Sequence, residues 1–213
     1  MKLVFLGPPG SGKGTIAKII LKKLNYYHIS TGDLFRVNIL NSTTLGKEIK
    51  QIVESGKLVP DSITIKIVED KIKTLGNTDN FILDGFPRNI SQAQALDKFL
   101  QNLKIINFFI DEEILIKRLS GRRICKTCGE IFNIHTFPTK ENGVCDICKG
   151  NLYQRKDDIE ESLKIRLKEY NLQTKPLIDF YSTSNRLFNI NASQNVNRVE
   201  KNLMEIITGV ETQ

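Results

Sequence analysis

Apolar positions along this chain keep two rhythms. Short runs from Lys2 to Leu6, Tyr27 to Ser30, Phe81 to Asp84, Ile105 to Ile110 and Leu187 to Ile190 are rich in β-branched and aromatic residues. Runs of that length and kind predict strands buried on both faces. Between them the apolar residues return every three or four positions. Ile16, Ile19, Ile20 and Leu24 alternate with Lys18, Lys22 and Lys23, which predicts a helix from about Lys13 to Leu24 with one face buried. Strands alternating with helices predict an α/β fold around a doubly wound, five-stranded parallel sheet.

Two stretches break this rhythm. From Ser30 to Val59 the apolar positions fall in short amphipathic pieces punctuated by Gly32, Gly46 and Gly56, which predicts a small helical insertion. From Arg122 to Lys156, glycines, Pro138 and all four cysteines interrupt any long helix, and too few apolar residues remain for a separate core. A bound metal would supply the cohesion that packing lacks there. The predicted organisation is a core of residues 1–29, 60–121 and 158–213, with insertions at 30–59 and 122–157. After Lys156, Asp157 and Glu160 have capping-box spacing ahead of a helix carrying Leu163, Arg166, Leu167 and Tyr170.

Composition narrows the class without choosing it. The 213 residues are 40% apolar and 26% charged, a balance that buries a core and excludes collagen-like, mucin-like or disordered readings. No apolar run approaches the ~20 residues of a membrane span, and the run after Met1 is cut by Gly7-Pro8-Pro9-Gly10, so a cytoplasmic protein without a membrane partner is expected. The net charge of +7 raises the prospect of anionic partners, nucleic acid among them. Of the 31 basic residues only nine are arginine, and the rarer, planar, bidentate cation is the more informative one.

The strongest local motif runs from Gly7 to Thr15, a glycine, four residues, then Gly12-Lys13, placed after a predicted strand and before a predicted helix. Gly10, Ser11, Gly12, Lys13, Gly14 and Thr15 then form a phosphate-binding loop. Its backbone N–H groups and the helix start face the anion, and Lys13 adds a point charge. The hydroxyl residue usual after the lysine is replaced by Gly14, with Thr15 one place later. Farther on, Cys125-x2-Cys128 and Cys145-x2-Cys148, sixteen residues apart, have the spacing of a zinc ribbon. Four thiolates close a tetrahedron, so a structural zinc is expected rather than a catalytic one with an open position.

Thr31-Gly32-Asp33-Leu34-Phe35-Arg36 and Asp84-Gly85-Phe86-Pro87-Arg88, together with the glycine loop, Gly121-Arg122-Arg123 and Arg155-Lys156-Asp157-Asp158, resemble the nucleoside monophosphate kinases, most closely adenylate kinases of the bacterial type with a zinc-bearing lid. The resemblance spans nearly the whole chain. It implies reversible transfer of the terminal phosphoryl group of magnesium ATP to AMP, giving two ADP, by a monomer. It further implies that Arg36 and Arg88 hold the AMP phosphate and that Arg118 and Arg122 reach ATP. Arg155 and Arg166 would close on the phosphates, and Asp84 would hold Mg2+ through water. Thr31, Gln92, Gly85, Phe86, Pro87 and the segment Lys57, Leu58, Val59 would form the AMP side, while Ile131, Phe132 and Gln194 lie on the ATP side. Asp157 and Asp158 are left to pair with arginines or to cap a helix. Arg123, Arg186 and Arg198 are read as surface cations, and His28 and His135 as structural or surface residues.

Two alternatives share parts of this pattern. A UMP or CMP kinase would keep the loop, lid and arginines with a different base pocket, against which Thr31 and Gln92 speak. A nucleic-acid-binding ribbon would interleave aromatics with its basic patch, whereas only Phe132 and Phe137 lie inside the cysteine segment.

Overall fold

In the computed structural model, residues 1–76 and 80–209 are described. Five strands, β1 (Lys2–Leu6), β2 (Tyr27–Ser30), β3 (Phe81–Asp84), β4 (Leu103–Phe109) and β8 (Leu187–Asn191), form one sheet in the order β2-β3-β1-β4-β8. Every pairing in it is parallel. Strand β4 begins two residues earlier and ends one earlier than the apolar run predicts, because Leu103 and Lys104 pair with Lys2 and Leu3 of the central strand.

Alternation within β1 divides the core. Val4 and Leu6 turn to one face, with Ile29, Leu83 and Ile105, and are covered by Val68 of α4 (Asp61–Lys73), Leu96 of α5 (Ile90–Phe99) and Leu177 and Tyr181 of α8 (Pro176–Ser182). Leu3 and Phe5 turn to the other, under Ile16 and Ile20 of α1 (Lys13–Lys23) and Val199 and Leu203 of α9 (Val196–Thr208). Phe5 meets Phe108 edge to face with ring centroids 4.9 Å apart. Both faces are therefore apolar, which is why the strands read as continuous rather than alternating runs.

Between β2 and α4 lie α2 (Thr31–Leu40) and α3 (Thr44–Glu54), started by Ser30 and Thr43, whose hydroxyls accept from the N–H groups of Asp33 and Gly46. The two helices touch so closely that a Cβ on Gly46 would stand 2.0 Å from the Asn38 carbonyl oxygen. After α6 (Glu112–Ser120) comes a small antiparallel sheet, β6-β5-β7, of β5 (Arg122–Cys125), β6 (Ile131–Asn133) and β7 (Leu152–Tyr153). Its buried centre is Cys125, Phe132 and Cys145 with Leu152 against them.

One sequence reading is decided and one corrected. Of the two roles left open for Asp157 and Asp158, pairing with arginines is the one observed and the capping box is not: α7 (Glu160–Glu169) is preceded by Ile159 without a side-chain cap, and the two aspartates form a 3-10 turn whose carboxylates are taken by arginines. Arg186 is not a free surface cation, since it bonds both oxygens of Asp97 at 2.9 and 2.8 Å and lies over the ring of Tyr181.

Candidate functional site

The C-terminal ends of β1, β2 and β3 open into one cavity of about 910 Å3, at the upper end of the range for small-molecule sites. At one end is the glycine loop. Gly12 has φ 91°, a left-handed conformation open to glycine at little cost, and it starts α1 with no side chain hydrogen-bonded to the helix N-terminus as a cap. Lys13 Nζ folds back on the carbonyls of Gly7 and Pro8, both at 2.8 Å, and on Ser11 Oγ at 3.1 Å. Burial lowers its pKa to about 8. Asp84 opposes that shift, while Arg88, Arg166 and Arg122 add to it.

At the other end, Thr31 Oγ1 and Arg88 Nε both donate to the Gly85 carbonyl, at 2.8 and 2.9 Å, binding the start of α2 to the turn after β3. Gln92 is fully buried on this wall. Its Oε1 accepts from the Arg88 N–H at 2.8 Å and its Nε2 donates to Asp61 Oδ1 at 2.7 Å.

Between the two ends stand the arginines. Asp158, fully buried, receives Arg122 through Nε at 2.7 Å and through a second, very short contact from Nη2, and Arg166 Nη1 at 2.8 Å. Arg166 also reaches Asp157 at 3.1 Å. Burial works against the charge of Arg122, but Asp158 outweighs it and the pKa rises; Arg88 and Arg155, without so close a carboxylate, are lowered by burial to about 10. Arg155 Nε is buried without a hydrogen-bond partner among the described residues. Arg36 leans on Asp33 at 2.6 Å, and Arg118 Nη1 donates to the Ala192 carbonyl at 2.8 Å. The wall carries nine Lys and Arg against four carboxylates. A cationic excess of this size, with Arg88, Arg122, Arg155 and Arg166 largely desolvated, fits a ligand bearing several negative charges.

Asp84 closes the floor. Burial pushes its carboxyl up, yet His28 and Lys13 outweigh burial and hold it below its ordinary range. His28 Nε2 stands 3.4 Å from Asp84 Oδ2. His28 therefore belongs to the site, contrary to the sequence reading. The register that sets Ser30 beside Asp84 places His28 two residues back on the same strand face, a parity visible only once β2 is known to pair with β3.

Of the residues expected to hold the nucleotides, Gly10, Ser11, Gly14, Thr15, Lys57, Leu58, Val59, Pro87, Ile131, Phe132 and Gln194 join those described on the cavity wall. Phe86 is the exception. It is fully buried in the core with Val4, Leu83 and Tyr181, so it supports the turn from behind rather than lining the cavity.

The four cysteine sulfurs lie within 4.8 Å of one another, with Cys125 to Cys148 at 3.4 Å and Cys128 to Cys145 at 3.6 Å. A tetrahedron with metal–sulfur bonds of about 2.3 Å has edges of roughly 3.8 Å, so the set could hold one metal ion. The Cys128 backbone N–H helps draw the Cys125 thiol down to about 6, while Cys128, against the pull of the Glu130 backbone N–H, is pushed up by burial and the neighbouring thiols, so the sulfurs share protons as one set that a metal ion would have to displace.

A glycine loop at a strand-to-helix turn on a parallel sheet, facing an arginine-lined cavity at the strand ends, defines a P-loop nucleotide-binding protein of the phosphotransferase kind. Comparison with known proteins narrows this class. A family profile described as adenylate kinase matches residues 5–186. An adenylate kinase of Borrelia turicatae is 79% identical over 208 residues, covering 98% of this chain and 99% of its own. That of Thermosipho africanus is 47% identical (97% and 99% covered), and that of Clostridioides difficile 45% (96% and 97%). The chain belongs to the adenylate kinase family.

Proposed function

We propose that the protein transfers the terminal phosphoryl group of ATP to AMP, reversibly, giving two ADP. The observation that supports this most is a single cavity with a phosphate loop at one end, the Thr31, Gly85, Arg88 and Gln92 wall at the other, and Arg122, Arg155 and Arg166 between. ATP lies with its phosphates on residues 10–15 and its base toward Arg118, Ile131, Phe132 and Gln194. AMP lies with its phosphate on Arg36 and Arg88 and its base toward Thr31, Gln92 and residues 57–59.

The chemistry asks for no general base, since the AMP phosphate is already an anionic nucleophile. Catalysis then rests on alignment and on charge aimed at the transferring group. Lys13 leaves its carbonyls for the outer ATP phosphates. Arg122 and Arg166, fixed in direction by Asp158, face the group in flight, and the unpartnered Arg155 Nε takes up a phosphate oxygen as the lid residues close. Mg2+, when bound, neutralises charge on the ATP phosphates, and Asp84, ionised under His28 and Lys13, is the residue that would hold it through water. Cys125, Cys128, Cys145 and Cys148 would hold zinc, which would serve the lid fold rather than the transfer step. The working units are a core of residues 1–29, 60–121 and 158–213, an AMP lobe of 30–59 and a lid of 122–157, in a cytoplasmic monomer.

The test is a panel of nucleoside monophosphates with magnesium ATP, following diphosphate formation. AMP should be the preferred acceptor, and Lys13→Met should lower turnover by about 100-fold or more through lost phosphate stabilisation. Preference for UMP or CMP would assign the other kinase specificity, and near wild-type rates in Lys13→Met would refute the site.

A further inference from the structure

We propose that Asp61, which stands outside the cavity, sets the choice of acceptor base by holding the Gln92 side-chain amide in one orientation. This rests on the reading above that the Gln92 wall takes the base of the monophosphate.

An amide can present its oxygen and nitrogen either way round unless its partners forbid one of them. Here both partners are of fixed polarity. The Asp61 carboxylate, at the first position of α4, only accepts, and it takes Gln92 Nε2 at 2.7 Å. The Arg88 backbone N–H only donates, and it gives to Gln92 Oε1 at 2.8 Å. Reversing the amide would set oxygen against carboxylate and NH2 against N–H, losing two hydrogen bonds inside a fully buried side chain. The network is braced at both ends. Asn89 Nδ2 donates to the same Asp61 oxygen at 2.9 Å, and Asn89 Oδ1 caps α5 by accepting the Gln92 N–H at 2.9 Å.

What remains of Gln92 for a ligand is one N–H and one lone pair of Oε1 in a set order. Adenine offers an amino donor at C6 beside an acceptor at N1, which complements that order. Hypoxanthine and guanine offer an acceptor at C6 beside a donor at N1, the inverse. A freely reversing amide would accept either edge, and one held by Asp61 accepts adenine and opposes the 6-oxopurines. Asp61 touches neither base nor phosphate, so it is a positioning residue acting through Gln92.

Asp61→Asn tests this, because an asparagine of the same shape can turn its NH2 toward Gln92, so that reversing the amide costs the Arg88 bond alone instead of two bonds and the 6-oxopurine edge is opposed less. With ATP as donor, the ratio of kcat/KM for AMP to that for inosine monophosphate should fall by about tenfold or more, carried by the monophosphate KM, with the KM for ATP unmoved. In a Gln92→Met background Asp61→Asn should leave the ratio unchanged. A variant that melts lower but keeps the wild-type ratio would show that Asp61 only supports α4 and would overturn the proposal, as would a further fall in the double variant. If Asp61→Asn does not fold, Asp61→Ser, whose hydroxyl also donates and accepts, takes its place with the same outcomes. A wild-type enzyme equally active on both monophosphates would overturn the inference alone. One that phosphorylates no monophosphate would overturn it together with the function it rests on.

Discussion

Lys13 shows how burial and neighbouring charge act on one residue. Its ammonium is inside the protein among three arginines, and its pKa drops to about 8. A base depressed on folding costs stability while it is charged, and that cost fades as pH rises from about 8 toward the ordinary lysine value. Phosphate oxygens would reverse the shift by supplying the missing counter-charge. ATP binding should therefore take up close to one proton at pH 8.5 to 9 and much less at pH 6.5, where Lys13 already holds its proton. Calorimetric titration in buffers of different ionisation enthalpy reads this directly, and Lys13→Met should abolish the difference. Uptake independent of pH would show that Lys13 is not the responding group. Asp158 illustrates the opposite balance: with no exposure and two arginines on its oxygens, it is the acceptor that lets Arg122 stay charged while buried.

At the scale of elements, the cysteine-bearing sheet is the part that packing alone explains least. Strands of four, three and two residues around Cys125, Phe132, Cys145 and Leu152 bury little apolar surface. Isolated sheets this small are marginal in water. Coordination of one metal ion by the four clustered thiolates would add the missing cohesion. Cys145→Ser should then lose bound zinc and lower Tm by several degrees while changing the intrinsic transfer step less than the ATP KM, checked by metal analysis and thermal melting. Unchanged melting with zinc gone would remove the structural role. The α2–α3 pair is held differently, by an apolar cluster of Phe35, Ile39, Ile49 and Ile52, with a direct backbone approach at Gly46 that no periodicity announces.

Over the whole molecule, the second insertion reaches back across the cavity. Lys18 Nζ of α1 donates to the Gly129 carbonyl at 3.0 Å and lies 3.6 Å from Glu130; Lys156 meets Glu54 at 3.2 Å, and Arg155 approaches Asp33 at 3.9 Å. Such partly exposed pairs are worth about 0–1 kcal/mol each. They are weak beside the mutual repulsion of the cations they bring together, so closure should depend on phosphate anions in the cavity. A closed cavity excludes water from the transferring group. With AMP omitted, ATP hydrolysis should run at least about 100-fold slower than transfer to AMP, measured as free phosphate against diphosphate; comparable rates would refute the gating. Among the described residues no helix is long and apolar enough to cross a membrane.

The sequence by itself determined whatever depends on neighbours along the chain. The glycine loop through Lys13, the paired cysteine knuckles and the alternation of buried runs with amphipathic helices are set by local spacing and local backbone freedom, and they carry the fold class and the phosphate site. Tertiary structure decided whatever depends on partners far apart in sequence. His28 enters the site because β2 pairs with β3, Phe86 leaves it because the chain turns that ring into the core, and Asp157 and Asp158 serve arginines instead of a helix start. Asp61 acquires a role only because α4 and α5 lie together and put its carboxylate on Gln92. A hydrogen bond needs its two atoms within about 3 Å of each other, and thirty-one residues of separation along the chain say nothing of that distance until the fold has closed it.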